Sequence, residues 1–164
     1  MPTKLFVSEE ERAGVRVCHD RVELRTETRT QFVDLTELVA ERVRRSGVTH
    51  GLVSVQALHT TAAVLVNENE PLLLEDLGAM LERAAPKSIA YAHDDLRRRL
   101  GPVDEERRNG NAHCRAALLG STACLHVAGG RLILGTWQRV FLVELDGPRP
   151  RNVSVMVLGS PERV

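Results

Sequence analysis

The sequence predicts an α+β fold, a single compact domain of mainly antiparallel β-sheet packed with a few helices. Strand-like patterns lie towards both ends of the chain, from residue 15 and again from residue 124, whereas helical patterns lie between them. This order does not alternate regularly as strand, helix, strand, the pattern typical of parallel sheets. No linker, repeat or low-complexity stretch divides the 164 residues, so we expect one domain over 1–164.

The first half of the chain contains three predicted strands and two predicted helices. Residues 15–28 alternate apolar and polar side chains, which is typical of a half-buried strand. Asp34 is predicted to cap a helix that Gly47 ends, because Glu37 stands at the capping-box spacing. Residues 52–58 and 62–66 are rich in β-formers on either side of a polar corner. Pro71 suits the first turn of a second helix, whose predicted buried stripe is Leu73, Leu77, Met80, Leu81 and Ala84.

The second half begins with a polar connection and ends in strands. Residues 87–110 are highly charged with a weak helical pattern, and so long a connection is usually functional or disordered. A short helix is predicted over 112–119 and ends at Gly120. Strands are predicted over 124–127, 131–134, 138–145 and 152–158, with an Asp146-Gly147-Pro148 turn before the last one.

The overall charge and the cysteines exclude several classes of protein. The 22 basic and 22 acidic side chains give a net charge of zero, unlike proteins that coat nucleic acid or an acidic membrane surface. No apolar run approaches the roughly 18 residues of a membrane span. Three cysteines without a CxxC pair fit neither a disulfide framework nor a zinc ribbon. We therefore expect a cytoplasmic protein without nucleic-acid or membrane partners.

Three histidines in polar surroundings are the first candidates for chemistry. His59 lies at the corner between two strands, His93 in the charged connection and His113 near the start of the short helix. Their spacing matches no local zinc motif, so a shared metal site requires the fold to gather them. The alternative is that each is a partly exposed or hydrogen-bonded loop residue. His19, His50 and His126 fall in or beside strands and carry no such signal.

A second candidate group lies near the last two strands. Glu144 and Asp146 share one face of a strand, where paired carboxylates suit a cation or acid–base work. Arg149 and Arg151 also share a face and could form bidentate hydrogen bonds with phosphate oxygens. Each pair has an ordinary alternative, a sheet-edge or interface pair for the acids and a solvated or salt-bridged pair for the arginines. Residues 97–99, all arginine, are predicted to be a solvated face.

Several common signatures are absent from the sequence. There is no GxGxxG, GxxxxGK, GxSxG or HExxH motif, which lowers support for common nucleotide, acyl-transfer and zincin sites. Cys114 directly follows His113, but adjacent helical residues point in different directions. Cys114 is therefore not assigned as a nucleophile.

Taken together, the polar motifs resemble those of the YjbQ family, also called UPF0047. The resemblance covers about residues 15–160 and rests on the following segments in the family's order: His59-Thr60-Thr61-Ala62, Val66-Asn67-Glu68, His93-Asp94, Asn109-Gly110-Asn111-Ala112-His113, Leu119-Gly120, Leu134-Gly135-Thr136-Trp137-Gln138 and Glu144-Leu145-Asp146-Gly147-Pro148-Arg149. No single segment is specific, whereas the combination is.

The resemblance implies a homotrimer and a site in which the three histidines converge. It implies His59, His93 and His113 as metal ligands, for zinc or a related ion, and these with Glu68 as catalytic candidates. Candidates for binding a substrate or anion are Thr60, Thr61, Asn67, Asn109, Arg115, Trp137, Gln138, Arg149 and Arg151, with Tyr91 as a second candidate for ring contact. Glu68, Glu144 and Asp146 are the alternative set for magnesium. The family often has an acid at the position of Asn111, so its absence here implies a weaker catalyst if that acid acts directly.

Three functions remain open on this basis. The family is credited with weak thiamine-phosphate synthase activity, which joins hydroxymethylpyrimidine diphosphate to thiazole phosphate and releases pyrophosphate. A histidine trio also suits a metal-dependent hydrolase. The third possibility is a non-catalytic trimeric protein that binds a small molecule, such as a phosphorylated ligand, or a metal.

Overall fold

The strands form two sheets, and their antiparallel pairing confirms the prediction. In the computed structural model, which describes residues 5–12, 14–99 and 107–161, every strand pair is antiparallel. The six-stranded sheet has the order β1-β2-β9-β4-β6-β7, and the three-stranded sheet has the order β3-β8-β5. The strands are β1 (Leu5–Arg12), β2 (Val15–Arg25), β3 (Gln31–Asp34), β4 (Val48–Ala57), β5 (Ala62–Glu68), β6 (Thr122–Ala128), β7 (Arg131–Leu132), β8 (Gln138–Glu144) and β9 (Pro150–Pro161).

Two apolar clusters share the small sheet, because its central strand is buried on both faces. One face of β8, with Val140 and Leu142, packs towards the large sheet and helix α1 (Thr36–Ser46). The other face, with Phe141 and Val143, packs in a second cluster with residues of helices α2 (Pro71–Ala84) and α3 (Gly110–Leu119). The outward face of the large sheet carries exposed apolar side chains, among them Leu52, Met156 and Leu158.

The helix boundaries follow the predicted signals closely. Helix α1 begins at Thr36, not directly after Asp34, although the Asp34 carboxylate still accepts a hydrogen bond of 2.8 Å from the Thr36 N–H. Gly47 ends this helix with a left-handed φ of 68°. Glu70 caps α2 by accepting hydrogen bonds from Leu72 and Leu73, which leaves Pro71 at the first turn as predicted.

The predicted buried stripe of α2 is wrong in part. Leu81 is buried, but Met80 is 43% exposed and Ala84 is also exposed. Leu72, outside that stripe, is exposed as well. The pattern is amphipathic, but within the described residues nothing covers this side of the helix. Amphipathicity alone does not reveal which apolar side chains the chain itself can bury.

The remaining differences concern short or irregular segments. The predicted strands at the C-terminal end are present, although the one predicted over 131–134 is reduced to Arg131–Leu132, whereas β1 and the four-residue β3 carry no clear signal. Within the polar connection the structure shows a short 3₁₀ helix, Ala92–Asp94, and residues 100–106 of that connection lie outside the described residues. In the described part of the chain, no helix is both long and apolar enough to cross a membrane.

Candidate functional site

Three connections cross from one sheet to the other at the same end of the molecule. The β2–β3 connection starts at Thr26, the β4–β5 connection contains His59 to Thr61, and the β8–β9 connection contains Asp146 and Arg149. The strand register explains why they meet, because Ala62 pairs with Glu144 in the small sheet and Ala57 pairs with Val153 in the large one. Polar side chains far apart in sequence therefore gather where the two sheets separate.

These connections and the start of α3 form a cleft of about 430 Å³, which we call the crossover cleft. Eight of its lining residues were predicted as site residues: His59, Thr60, Thr61, His93, Asn109, His113, Arg149 and Arg151. Leu58 and Arg99 complete the lining. The three histidines singled out from sequence thus line one cleft.

The floor of the cleft contains a buried ion pair. Glu144 is 0% exposed and Arg151 is 1% exposed. The guanidinium binds both carboxylate oxygens, with Nε–Oε2 at 2.6 Å and Nη2–Oε1 at 2.5 Å. Nη2 also donates to the side-chain oxygen of Thr61 at 3.0 Å. The alternative of a salt-bridged pair therefore holds for Arg151 and, through Asp146, for Arg149, although both side chains also line the cleft.

Further donors complete the hydrogen bonding of the Glu144 carboxylate. Thr26 Oγ1 donates to Oε2 at 2.8 Å, and the N–H groups of Leu145 and Asp146 donate to Oε1. Burial alone would raise the pKa of Glu144, but the bonds from Arg151, Asp146 and Thr26 outweigh it and lower the pKa. Gly147 is required here, since a Cβ atom would stand 2.7 Å from the Glu144 side chain.

A second polar group at the cleft is less completely bonded. Asp146, 1% exposed, accepts a hydrogen bond through Oδ2 from Asn109 Nδ2 at 2.9 Å, and the same oxygen forms an ion pair with Arg149 Nη2, also at 2.9 Å. Among the described residues, no hydrogen-bond partner is found for the buried Oδ1 of Asp146, the buried Oδ1 of Asn109 or the buried Nε of Arg149. Because buried polar atoms are normally bonded, these atoms indicate a place for water or a ligand.

Two of the histidines touch each other at the side of the cleft. The His93 and His113 rings have centroids 4.5 Å apart and are tilted by 59°. His93 belongs to the 3₁₀ helix, and its neighbour Asp94 fixes that helix to α3, because Asp94 Oδ1 accepts a hydrogen bond of 2.9 Å from the Gly110 N–H. Asp94 thus holds His93 beside His113.

His59 is oriented by the backbone of β9. Its Nε2 accepts a hydrogen bond of 2.8 Å from the Asn152 N–H, so in the neutral ring the proton must be on Nδ1. Burial is the main cause that lowers the pKa of His59, and the charge of Arg151 lowers it further. His59 is therefore held as a neutral side chain that offers an N–H donor.

The histidine geometry bears directly on the predicted metal site. A metal on His59 Nε2 would have to displace the Asn152 N–H, and a metal on Nδ1 would need the proton that the hydrogen bond places there to leave. Among the described residues, no group of three His, Cys, Asp or Glu side chains is arranged to hold a metal ion. Zinc binding by the trio stays a prediction.

Several predicted site residues lie away from the crossover cleft. Glu68 pairs with Gln138 and Asn67 pairs with Arg139, at the opposite ends of β5 and β8. Gln138 and Glu144 are six residue steps apart along the strand, about 20 Å. Glu68 is consequently not brought to Glu144 and Asp146, its predicted partners for magnesium, within one chain. Trp137 adjoins this far end and is 71% exposed.

Arg115 and Tyr91 also lie outside the crossover cleft. Arg115 is buried behind α3, where it donates to the Ala85 carbonyl oxygen and forms an ion pair with Glu82. It therefore supports the fold instead of lining the cleft. Tyr91 donates to the Pro86 carbonyl oxygen and lines a separate hollow together with the buried Asn111. Cys114 is an exposed free thiol.

Sequence reasoning missed three contributors to the site. Thr26 lies within the predicted strand over 15–28 and Asp94 within the His93-Asp94 segment, but neither is predicted as a site residue. Arg99 was predicted to be solvated with its neighbours, yet it lines the cleft whereas Arg97 and Arg98 are exposed. A polar residue next to a candidate histidine was an available signal for Asp94. No signal distinguished Arg99 within a run of three arginines.

Comparison with known proteins places this chain in a family. Residues 20–160 match the family model described as UPF0047 protein YjbQ-like. A UPF0047 protein of Methanothermobacter thermautotrophicus is 38% identical over 84% of this chain and 90% of its own length. One from Archaeoglobus fulgidus is 39% identical over 82% of this chain and 97% of its own. The solved structure of a YbjQ-like protein of unknown function from Sulfolobus solfataricus has a TM-score of 0.80 and 34% identity, and the match covers 89% of this chain and 99% of that one. This chain therefore belongs to the UPF0047 (YjbQ-like) family.

Proposed function

We propose that the crossover cleft binds the phosphate groups of a small molecule and that the protein acts as a transferase of the thiamine-phosphate synthase type. The observation that carries the proposal is the gathering of Arg149, Arg151 and three histidines around one cleft. Arg99 adds a further cation, and Thr60 and Thr61 add hydroxyl donors. Guanidinium and hydroxyl groups of this kind recognise phosphate oxygens.

The charges of the cleft divide into two roles. Arg151 is already paired with Glu144, which its Nε and Nη2 both contact. Arg149 is bonded to Asp146 through Nη2 only, and its buried Nε has no partner among the described residues. Asn109 stands at the N-terminal end of α3, where the helix dipole also favours an anion. Arg149 is thus the stronger candidate for direct contact with a phosphate.

The proposed reaction needs stabilisation of a leaving diphosphate. The thiazole nitrogen attacks the methylene carbon of the pyrimidine diphosphate, the carbon–oxygen bond breaks, and pyrophosphate leaves with the electron pair. Donors aimed at the departing oxygens lower the barrier of such a step. Arg149 and the Nδ1–H of neutral His59 would supply them, and the cleft would hold the two reactants close together.

A divalent cation would assist the same step, and two unpartnered oxygens at the cleft are suitable ligands for such a cation. Asp146 Oδ1 and Asn109 Oδ1 are hard oxygen donors of the type that magnesium prefers, and magnesium commonly completes its coordination with water and substrate phosphate. Of the predicted magnesium set, Asp146 is the member with an unpartnered oxygen at the cleft among the described residues. Bound there, the ion would neutralise charge on the leaving diphosphate.

Binding and turnover test the proposal separately. Calorimetry with inorganic pyrophosphate, with and without magnesium, is expected to show binding that Arg149→Ala weakens at least about tenfold, the loss of one charge-assisted contact. Arg97→Ala, at an exposed arginine outside the cleft, is the matched control. Turnover of both substrates with magnesium should give thiamine phosphate. Pyrophosphate binding without product would favour the non-catalytic binding protein, and absence of binding would overturn the proposal.

A histidine-metal hydrolase is the second candidate, favoured by the contact between His93 and His113. It predicts about one zinc per chain, measured by elemental analysis after dialysis, and its loss in a His59→Ala/His113→Ala double variant. Unchanged zinc in that variant would exclude these ligands. The hydrogen bond from Asn152 to His59 Nε2 is the reason for ranking this candidate second.

We further propose that the protein is a cytoplasmic homotrimer. Apolar side chains remain exposed on α2 and on the outward face of the large sheet, including Leu72, Met80, Leu52 and Leu158, which is typical of surfaces buried by association. The three free cysteines suit a reducing compartment. Light scattering should give three times the 18.2 kDa chain mass. A monomer in this measurement would contradict the trimer.

A further inference from the structure

A second hollow opens directly beside the crossover cleft. It has a volume of about 530 Å³ and is lined by the ends of β4 and β5 and by α3. Leu58, His59, Thr60 and His113 line both hollows. The two hollows are therefore neighbouring parts of one depression, with His59 and His113 at their boundary.

The second hollow differs from the crossover cleft in chemistry. Its own walls are formed largely by small apolar residues, Ala57, Ala62, Ala116, Ala117 and Gly120, and we call it the alanine lobe. Apart from the boundary histidines, none of the described residues that line it has an acidic or basic side chain. The crossover cleft, in contrast, has three arginines. Small side chains leave room over an apolar surface. Moving a flat or apolar group from water onto such a surface is favourable.

We propose that the alanine lobe binds the organic body of the phosphorylated ligand whose phosphates occupy the crossover cleft. This inference rests on the proposed function and adds to it the place where the ring, or another compact apolar group, of the phosphate or diphosphate ester binds. Sites for small molecules commonly combine an apolar surface with a few placed polar groups, and each hollow falls within their usual range of about 300–1,000 Å³.

The arrangement also assigns positions along the ligand. With the phosphate beside Arg149 and the ring beside Ala117, the bond that joins them would lie against the boundary residues His59, Thr60 and His113. Ala117 is the specificity-determining residue that can be tested. Ala116 is buried and Gly120 has a φ of 84°, so enlarging either would disturb the fold, whereas Ala117 is an exposed helical residue.

The experiment compares three probes on two variants by calorimetry: inorganic pyrophosphate, phenyl phosphate and hydroxymethylpyrimidine diphosphate. Ala117→Leu should weaken the two ring-bearing probes about tenfold or more, because the added side chain fills the lobe, and leave pyrophosphate affinity within about twofold. Ala128→Leu, at an exposed alanine on the far end of β6, is the matched control and should change nothing. Thermal unfolding verifies that both variants are folded.

The outcomes separate this inference from the proposed function. Equal effects of Ala117→Leu on all three probes, or no effect on the ring-bearing ones, would overturn the alanine lobe while phosphate binding stands. Binding of ring-bearing probes without pyrophosphate, still sensitive to Ala117→Leu, would support the lobe and count against the phosphate site. No binding of any probe would overturn both.

Discussion

The two ion pairs at the crossover cleft have nearly the same composition but different environments. Glu144 and Arg151 are both buried, and the carboxylate receives bonds from Arg151, Thr26 and two backbone N–H groups. Asp146 and Arg149 form one contact, the arginine side chain is 32% exposed, and atoms of both residues lack partners among the described residues. A completed pair stabilises the fold, whereas an incomplete pair beside a cleft is available to a ligand.

The largest expected effect is on stability, from breaking the completed pair. Arg151→Ala should lower the free energy of unfolding by about 3–5 kcal/mol, because it leaves Glu144 buried without its counterion. Arg149→Ala should lower it by about 1 kcal/mol, since Asp146 keeps its bond from Asn109. Urea denaturation measures both. Equal losses would remove the distinction between the two pairs.

The hydroxyl of Thr26 should contribute less than Arg151, and in a pH-dependent way. Thr26→Val should cost about 1–2 kcal/mol at neutral pH. The folded-state pKa of Glu144 is lowered, so its stabilisation is present above the unfolded value of about 4.3 and is lost as pH falls through the folded value. The variant brings the folded pKa closer to the unfolded one. Between pH 7 and pH 3, the free energy of unfolding should therefore fall less for Thr26→Val than for the unsubstituted protein. Parallel curves for the two proteins would contradict a contribution of Thr26 to the lowered pKa of Glu144.

Asp94 tests whether the position of His93 matters for ligand binding. Asp94→Ala should cost about 1 kcal/mol, as loss of a helix cap does, and should weaken pyrophosphate binding several-fold because His93 is no longer held beside His113. Asp94→Asn, which can still accept the bond from Gly110, should restore most of both. Asp95→Ala is the control on the neighbouring residue. A stability loss without any change in binding would limit Asp94 to a structural role.

The smallest expected effect concerns the protonation of His59. Because its folded pKa is lowered, the ring should be mostly neutral at pH 6.5, where an ordinary histidine is half protonated. Nitrogen chemical shifts from NMR should show the proton on Nδ1, with a free histidine peptide for comparison. The folded state then loses stability as pH falls below 6.5, because the unfolded histidine takes up a proton more readily than the folded one. A proton on Nε2 would contradict the acceptor role towards Asn152.

The sequence predicted much of the fold because its signals are local. Caps and turns such as Gly47, Pro71 and Gly120 act within a few residues, and alternation along β9 follows from the geometry of a single strand. The exposed side of α2 could not be predicted, since amphipathicity does not say whether a partner covers a helix. The four-residue β3 was missed because so short a segment shows little periodicity.

The sequence by itself determined which residue types are available for chemistry, the family to which the chain belongs, and the mainly antiparallel α+β class. Tertiary structure decided which candidates meet: the crossings between the sheets unite His59, Arg149 and Arg151, whereas the same strands carry Glu68 and Gln138 to the far end. It also decided that Arg151 is buried and contacts Glu144 through two nitrogens, whereas the partly exposed Arg149 contacts Asp146 through one. The physical reason is that burial and hydrogen-bond partners come from residues distant in sequence, and these partners set whether a charged group stabilises the fold or remains available to a ligand.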